Sequence, residues 1–356
     1  MPSLKEIKGR INSISSTLAI TSAMKMVAAA KLQKAQMAIQ NMLPYERRLH
    51  SMLIDLMGAM NISAAASEDG SVRGSGSAER GFDQSGDRLS LSNRHDLAGM
   101  DGAYSLMAQR EVRKVAIVAF ASNSSLCGAF NSNVIREATA VINEYRASGL
   151  GDADITVYSV GRKMAEAMKK LGFPSPADFT KMSDSPSYDA ASALAQELFD
   201  GFVSGRFDKV ELVYNHYKST SSQPTTRQTY LPLSLADATA DIQVGKITDS
   251  ASEPYTDKVA EPVVRQNSPT TETPDLIVEP SKEELIATLL PKVVRLRVFT
   301  TLLDSTAAEQ AARTVAMQLA TDNGNDLLQE LTLEYNKGRQ QKITSEILDL
   351  VGGSMQ

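Results

Sequence analysis

The sequence predicts an α/β protein with a long antiparallel coiled coil, in which the N- and C-terminal helices pair and a Rossmann-like α/β domain lies between them. Apolar residues recur at steps of three and four at both ends of the chain, and short apolar runs alternate with helix-like segments in the middle. The predicted regions are an N-terminal coiled-coil helix at 1–62, a flexible insertion at 63–112, the central α/β domain at 113–233, a Pro-rich acidic insertion at 234–280 and a C-terminal coiled-coil helix at 281–356.

An apolar seam predicts one long helix over residues 3–60. From Leu4, steps of three and four residues reach apolar side chains at every position except Thr21, Lys25 and Glu46. Such a sustained repeat is typical of a coiled coil. At 1.5 Å per residue the helix would be about 85 Å long, which is too long for a small globular domain. Pro44 is expected to kink this helix or to end its first part.

The C-terminal region repeats this pattern less regularly. Apolar residues at a spacing of mostly three and four predict helix over 281–351, weakened locally at 321–324 and ended by Gly352 and Gly353. Gly338 lies inside the predicted helix at some cost in helix propensity. Antiparallel packing of the two terminal helices is the simplest way to bury both seams.

The middle of the chain reads as alternating strands and helices. The predicted strands are 115–120, 155–160 and 210–214, with 226–231 as a further strand beside the last of them, and the predicted helices are 133–145, 162–171 and 188–202. This alternation favours a mainly parallel sheet that is covered on both faces.

The two stretches that flank this domain have a different composition. Ser, Gly and charges of both signs dominate 63–112, whereas residues 236–280 hold five prolines and nine carboxylates against three basic residues. Both stretches are interpreted as insertions in the form of loops, and their role is left open.

The net charge and the cysteine content limit the classes of protein to which this chain can belong. The net charge is −5, which argues against a nucleic-acid-binding protein, yet residues 1–48 carry eight basic and two acidic residues, a net charge of +6. A basic first helix in an acidic protein predicts an acidic partner surface. A single cysteine excludes an intramolecular disulfide and suits a reducing compartment. No signal-peptide core and no membrane-spanning run is found, which predicts a soluble, cytoplasmic protein.

Residues that could carry chemistry are few. Cys127 follows a predicted strand and could be a nucleophile, but two of the three histidines, His50 and His95, lie outside the predicted domain, which favours a packed thiol. No phosphate-binding loop, no dinucleotide fingerprint after a strand and no metal-ligand spacing is present. We therefore expect no catalytic residue, no bound cofactor and no metal.

Three segments resemble the gamma subunits of ATP synthase: residues 4–36, residues 125–134 (SLCGAFNSNV) and residues 316–353. The two insertions depart from the family pattern because they are longer than in its common form. Gly338 also departs, since it replaces a small residue that is usually Ala.

The resemblance implies a rotor. The two terminal helices are expected to run inside a ring of three alpha and three beta subunits, and the lower part is expected to bind the epsilon subunit and the ring of proton-carrying c subunits. Turned by proton flow, this non-catalytic shaft would drive ATP synthesis at the alpha and beta sites. It would be a peripheral protein on the cytoplasmic side of the bacterial inner membrane, attached indirectly through the c-ring.

The resemblance also implies partner contacts. The segment that faces an acidic loop of the beta subunit corresponds to Met24, Lys25 and Met26, and the upper C-terminal contact region corresponds to Arg339, Gln340 and Thr344. Lys25 breaks the apolar seam and is expected to point outward. Without the resemblance, the residues leave two other functions open: a static coiled-coil scaffold and a cysteine-dependent enzyme in the α/β domain.

Overall fold

The computed structural model describes residues 3–59, 106, 110–233, 279 and 282–353, so both predicted insertions lie almost entirely outside the described residues. The elements in chain order are α1 (Leu4–Ala59), β1 (Val115–Phe120), α2 (Phe130–Ala147), a 3-10 turn (Asp152–Asp154), β2 (Ile155–Val160), α3 (Arg162–Lys170), α4 (Thr180–Asp184), α5 (Tyr188–Val203), β3 (Lys209–Asn215), β4 (Thr225–Leu231) and α6 (Lys282–Gly353). Two terminal helices thus flank a central α/β domain, as predicted.

Helices α1 and α6 pack against each other in opposite directions. The Thr321 hydroxyl donates to the Thr21 hydroxyl at 3.1 Å, and the Thr300 hydroxyl donates to Glu46 Oε1 at 3.1 Å. Residue numbers therefore rise along α1 as they fall along α6, which confirms the antiparallel pairing. All described seam positions of α1 are buried or half-buried, and Thr21 and Glu46 satisfy their polar groups across the seam.

Neither predicted weak point ends a helix. Helix α1 continues through Pro44, and α6 continues through 321–324. Gly324 lies directly against Leu18, where an added Cβ would come within 2.6 Å of Leu18 Cδ2. The glycine therefore lets the two helices approach closely, and the burial of the seam outweighs its low helix propensity.

The sheet has the strand order β2-β1-β3-β4. Strand β1 pairs in parallel with both β2 and β3, and β4 pairs antiparallel to β3. The mainly parallel sheet is thus confirmed, and β1 and β2 have the predicted bounds. The short helix α4 was not predicted, because five residues carry too little periodicity to be recognised.

The two faces of the sheet are covered differently. Val115, Ile117 and Ala119 of β1 face helices α2 and α3. The alternate residues of β1 belong to a second core, which includes α5, residues 49–56 of α1 and residues 286–302 of α6. The Tyr230 hydroxyl of β4 donates to the Val294 carbonyl of α6 at 2.9 Å. The terminal helices themselves therefore cover one face of the sheet.

A buried carboxylate joins β3 to α2 and β4. Glu211 is 1% exposed and accepts hydrogen bonds from the Tyr145 hydroxyl at 2.6 Å and from Arg227 Nε at 2.7 Å. Lys209 Nζ lies 2.7 Å from it, and Arg227 also contacts Glu144. Burial alone raises the pKa of Glu211, but the hydrogen bonds from Arg227, Lys209 and Tyr145 outweigh burial and lower the pKa below its usual value.

We predict that this network makes the stability of the domain acid-sensitive. Because the folded state lowers the pKa of Glu211, its contribution is present above about pH 4.5 and is lost as the pH falls through the folded-state pKa. Glu211→Gln should reduce the free energy of unfolding at pH 7 by about 3 kcal/mol. The variant should also lose less free energy of unfolding than the wild type between pH 7 and pH 4, as measured by urea unfolding at both pH values.

The matched control is Glu111→Gln, which removes a surface ion pair in which both side chains are 77% exposed. If Glu211→Gln and Glu111→Gln unfold at the same urea concentration, the stabilising role of the buried network is refuted.

Candidate partner-binding surface of the helix pair

The helix pair has a covered part and a bare part. Along the covered part the α/β domain packs on both helices, and residues such as Leu53, Val293 and Leu302 are buried. Along the rest, residues 4–27 of α1 and 319–348 of α6, the two helices have mainly each other as cover, and most seam positions are only half-buried. We call these two stretches the bare segment.

Large apolar side chains are exposed on both helices of the bare segment. Their exposed fractions lie between 50% and 66%, for Ile20, Met26, Val27, Leu319, Leu327 and Leu333. Single exposed apolar residues are ordinary, but several along one rod are typical of a surface that another protein covers.

The tip of α6 continues beyond the start of α1, and among the described residues no other helix lies beside it. Gly338 of α6 faces Leu4, the first residue of α1, and α6 then runs to Gly353, about 22 Å further at 1.5 Å per residue. Ile343 and Ile347 lie on one face of this tip, and both are exposed. An unpaired helix with an apolar face is suited to insertion into a partner.

The six predicted contact residues lie at two places on the rod. Within α1, Met24 and Lys25 are half-buried and Met26 is exposed. Lys25 therefore lies beside the seam and does not point fully outward as expected. Within α6, Arg339, Gln340 and Thr344 are exposed near the tip, and the Thr344 hydroxyl donates to the Gln340 carbonyl at 2.9 Å.

The structure does not bring these two groups together. Leu4 lies at the end of the rod that carries the contact residues of α6. Met24 lies twenty residues further along α1, about 30 Å away. A partner that contacts both groups must therefore surround a long stretch of the rod.

A buried ion pair, which the sequence interpretation missed, connects α6 to the loop after β1. Arg313 donates to Glu309 at 2.6 Å, to the Ser125 carbonyl at 2.6 Å and to the Ser124 hydroxyl at 2.9 Å. Burial raises the pKa of Glu309 above its usual value although Arg313 acts against this, and nearby Asp184 raises it further. A spacing of four residues signals such a pair, but it is also the spacing of ordinary surface pairs.

Cys127 lies in that same loop and is buried at 1% exposure. Its sulfur accepts a hydrogen bond from Asn131 Nδ2 at 3.2 Å, and the other groups around it are the Ser122 hydroxyl and the Ser124 carbonyl. None of these groups is a base that could activate a thiol. Cys127 packs with Phe130 against Ala308 of α6, as a core side chain does.

The rod packs against the segments that follow two parallel strands, β1 and β3. In open α/β sheets, ligands bind at the carboxyl ends of strands where the connections diverge, which here is between β1 and β3. The segment after β1 packs on Ala308, and Tyr217 after β3 packs on Leu32 of α1 and Ala307 of α6. The segments at these two strand ends therefore pack on the helices of the rod.

The described residues offer neither a metal-binding cluster nor a membrane-spanning helix. In the described part of the chain, no three His, Cys, Asp or Glu side chains are placed to hold a metal ion. Among the same residues, no helix has a stretch that is long and apolar enough to cross a membrane.

Comparisons with known proteins agree with this architecture. A family model described as ATP synthase matches residues 3–355. The chain is 47% identical to the ATP synthase gamma chain of Phocaeicola vulgatus over the whole of both chains, and 45% identical to that of Bacteroides thetaiotaomicron, again over both whole chains.

A solved structure shares the fold at low identity. It is a chain of the Euglena gracilis mitochondrial ATP synthase, described as OSCP/F1/c-ring in rotational state 3. The TM-score is 0.52 and the identity 19%, over 99% of this chain and 93% of that chain.

We predict that the buried ion pair holds the loop on the rod. Arg313→Met leaves Glu309 buried without its cation and removes two hydrogen bonds from the loop, at a cost of about 3–5 kcal/mol. Amide hydrogen exchange of residues 122–129 should accelerate, and the urea midpoint should fall.

The double variant Glu309→Leu/Arg313→Met is the control, because it removes both charges and leaves none unpaired. It should be more stable than Arg313→Met alone. Equal stability of the single and double variants would contradict the role of the pair.

Proposed function

The chain belongs to the ATP synthase gamma-chain family and has the central-stalk role in ATP synthase, and from this premise we propose how it works. The bare segment turns inside a ring of three alpha and three beta subunits. The covered part, with the α/β domain, stands on the ring of c subunits beside the epsilon subunit. Proton-driven rotation of the c-ring is thereby coupled to ATP synthesis at the alpha and beta sites.

The observation that carries this proposal is the bare segment. Side chains such as Met26, Leu319 and Leu333 are more than half exposed on a part of the rod that the described residues of the α/β domain do not cover. A surrounding ring removes this apolar surface from water. Flexible, polarisable Met side chains also suit a bearing, since they adapt to different partner surfaces during rotation.

The asymmetry of the rod supports a role in switching. In the described part of the chain, the tip of the rod consists of α6 without α1, whereas from Leu4 onward the two helices lie side by side. As such a rod turns, each surrounding subunit faces a different surface, so the three catalytic sites are forced into different states. We assign Arg339, Gln340 and Thr344 to contacts with the upper part of the ring.

Charge supports the contact at the lower end of the bare segment. The first 48 residues carry a net charge of +6, and Lys25 lies half-buried between Met24 and the exposed Met26. We assign these three residues to a contact with an acidic loop of the beta subunit. Opposite charges at such an interface fix orientation and speed association.

We also propose that the subunit contributes no catalytic group and is located on the cytoplasmic side of the bacterial inner membrane. The packing of the segments after β1 and β3 on the rod and the burial of Cys127 support the first part. The bacterial gamma chains of high identity support the second, with attachment to the membrane through the c-ring.

Reconstitution tests the stalk. The chain is mixed with the alpha and beta subunits of the same bacterium, and assembly and ATP hydrolysis are measured. An active complex that contains this chain is expected. A truncated chain that ends at residue 338 and so lacks the tip should assemble with lower activity. If no complex with this chain forms, the stalk proposal is wrong.

Charge reversal tests the contact at Lys25. Lys25→Glu replaces attraction to an acidic loop by repulsion, on the order of 1 kcal/mol per contact at 4 Å even in water. We expect the ratio of protons pumped to ATP hydrolysed to fall in membrane vesicles. Lys170→Glu, a reversal at an exposed position of α3, is the control and should leave the ratio unchanged. Normal coupling in Lys25→Glu would remove this residue from the interface.

A further inference from the structure

We infer that residues Asn215, His216 and Tyr217, which follow β3, form a latch that transmits torque between the α/β domain and the helix pair. The inference rests on the proposed stalk function and assigns positioning residues for it. The latch also includes Asp304 of α6 and Gln36 of α1.

The latch contacts both helices of the rod at once. The Tyr217 amide donates to Asp304 Oδ1 at 2.9 Å, and His216 Nδ1 lies 2.6 Å from Asp304 Oδ2. Gln36 Nε2 donates to the Tyr217 hydroxyl at 2.7 Å. The segment 215–217 of the domain thus contacts the Gln36 side chain on α1 and the Asp304 carboxylate on α6.

The latch is firmly anchored on the domain side. Asn215 is 1% exposed, its Nδ2 donates to the Phe130 carbonyl at 3.0 Å, and its Oδ1 accepts from the Thr225 hydroxyl at 2.7 Å. The contacts therefore form a continuous chain from α2 and β4 through Asn215 to both long helices.

These contacts differ in kind from most of the interface, and they share their directional character with the hydrogen bonds of Arg313 and Tyr230 to the other side of the interface. Most of the contact between domain and rod is apolar, as in the core around Leu53 and Val293. Apolar burial is non-directional, so it holds the surfaces together but resists sliding of one past the other only weakly. Hydrogen bonds and the His216–Asp304 pair fix both distance and angle, which makes them suited to resist rotation of the domain about the rod.

The experiment uses the complete ATP synthase in membrane vesicles with the double variant Tyr217→Phe/Asp304→Ala. These changes remove the hydrogen bonds from the latch to both helices, but they keep an aromatic ring at position 217 in its apolar cluster. We expect ATP hydrolysis close to the wild-type rate with a loss of proton pumping. A purely structural role would lower both activities together. Thr288→Ala is the control on α6, since the described bond of its hydroxyl goes to its own helix at Glu284.

A tether provides the decisive readout. A Cβ built on Gly128 lies 3.8 Å from Ala316 Cβ, which matches the mean separation in disulfides. Because Gly128 has a φ of +58°, a cysteine there is strained, and formation of the disulfide in Gly128→Cys/Ala316→Cys, in a Cys127→Ala background, is first verified by the loss of free thiols. Once formed, the disulfide joins the domain to α6 at a further place. Oxidation should restore pumping to the latch variant, and reduction should abolish it again.

The outcomes separate the two proposals. A wild-type ratio of pumping to hydrolysis in the double variant overturns the latch, and so does an oxidised tether that restores nothing. If the double variant does not assemble, Tyr217→Phe alone decides, because it removes only a hydroxyl; an unchanged ratio in that variant also overturns the latch. Failure of the wild-type complex to pump would count against the stalk function instead.

Discussion

The structure depends on the burial of one apolar seam between two very long helices. Isolated helices are marginal in water, and most of their stability in proteins comes from packing of an apolar face. Helices α1 and α6 provide this packing for each other, so that Ile7 and Ala28 are almost fully buried even where the domain is absent or only beginning. A pair of helices cannot cover its whole surface, however. The exposed residues of the bare segment follow from that geometry, and the ring of subunits that we propose would complete the burial.

The α/β domain and the rod are one folded unit rather than two joined parts. The sheet has helices α2 and α3 on one face, but on the other it uses the rod together with α5 as its cover. The domain therefore cannot lose the rod without exposing half of its core. In addition to this apolar packing, Arg313 and Asp304 of α6 make directional hydrogen bonds to the domain. Together they suit a stalk in which rotation of one part must turn the other.

The same packing places the rod against the segments that follow β1 and β3. Ala307 belongs to the apolar cluster that Tyr217 packs against, and Ala308 belongs to the cluster of Cys127 and Phe130. Small alanines let the helix approach the loops closely enough for Arg313 to reach the Ser125 carbonyl. A fold that binds nucleotides in other proteins packs here against the helix pair of the stalk.

The sequence by itself determined the two long helices, strands β1 and β2 to the residue, and the exceptions to the seam at Thr21 and Glu46, because periodicity is a local property of the chain. It did not determine how those exceptions are satisfied, or that α1 continues through Pro44, because the compensating contacts come from residues distant in sequence. The contacts of Arg313 and Tyr217 were missed for the same reason, since each depends on a partner at least 180 positions away. Only the tertiary structure decided which part of the rod is covered and which part is left for a partner.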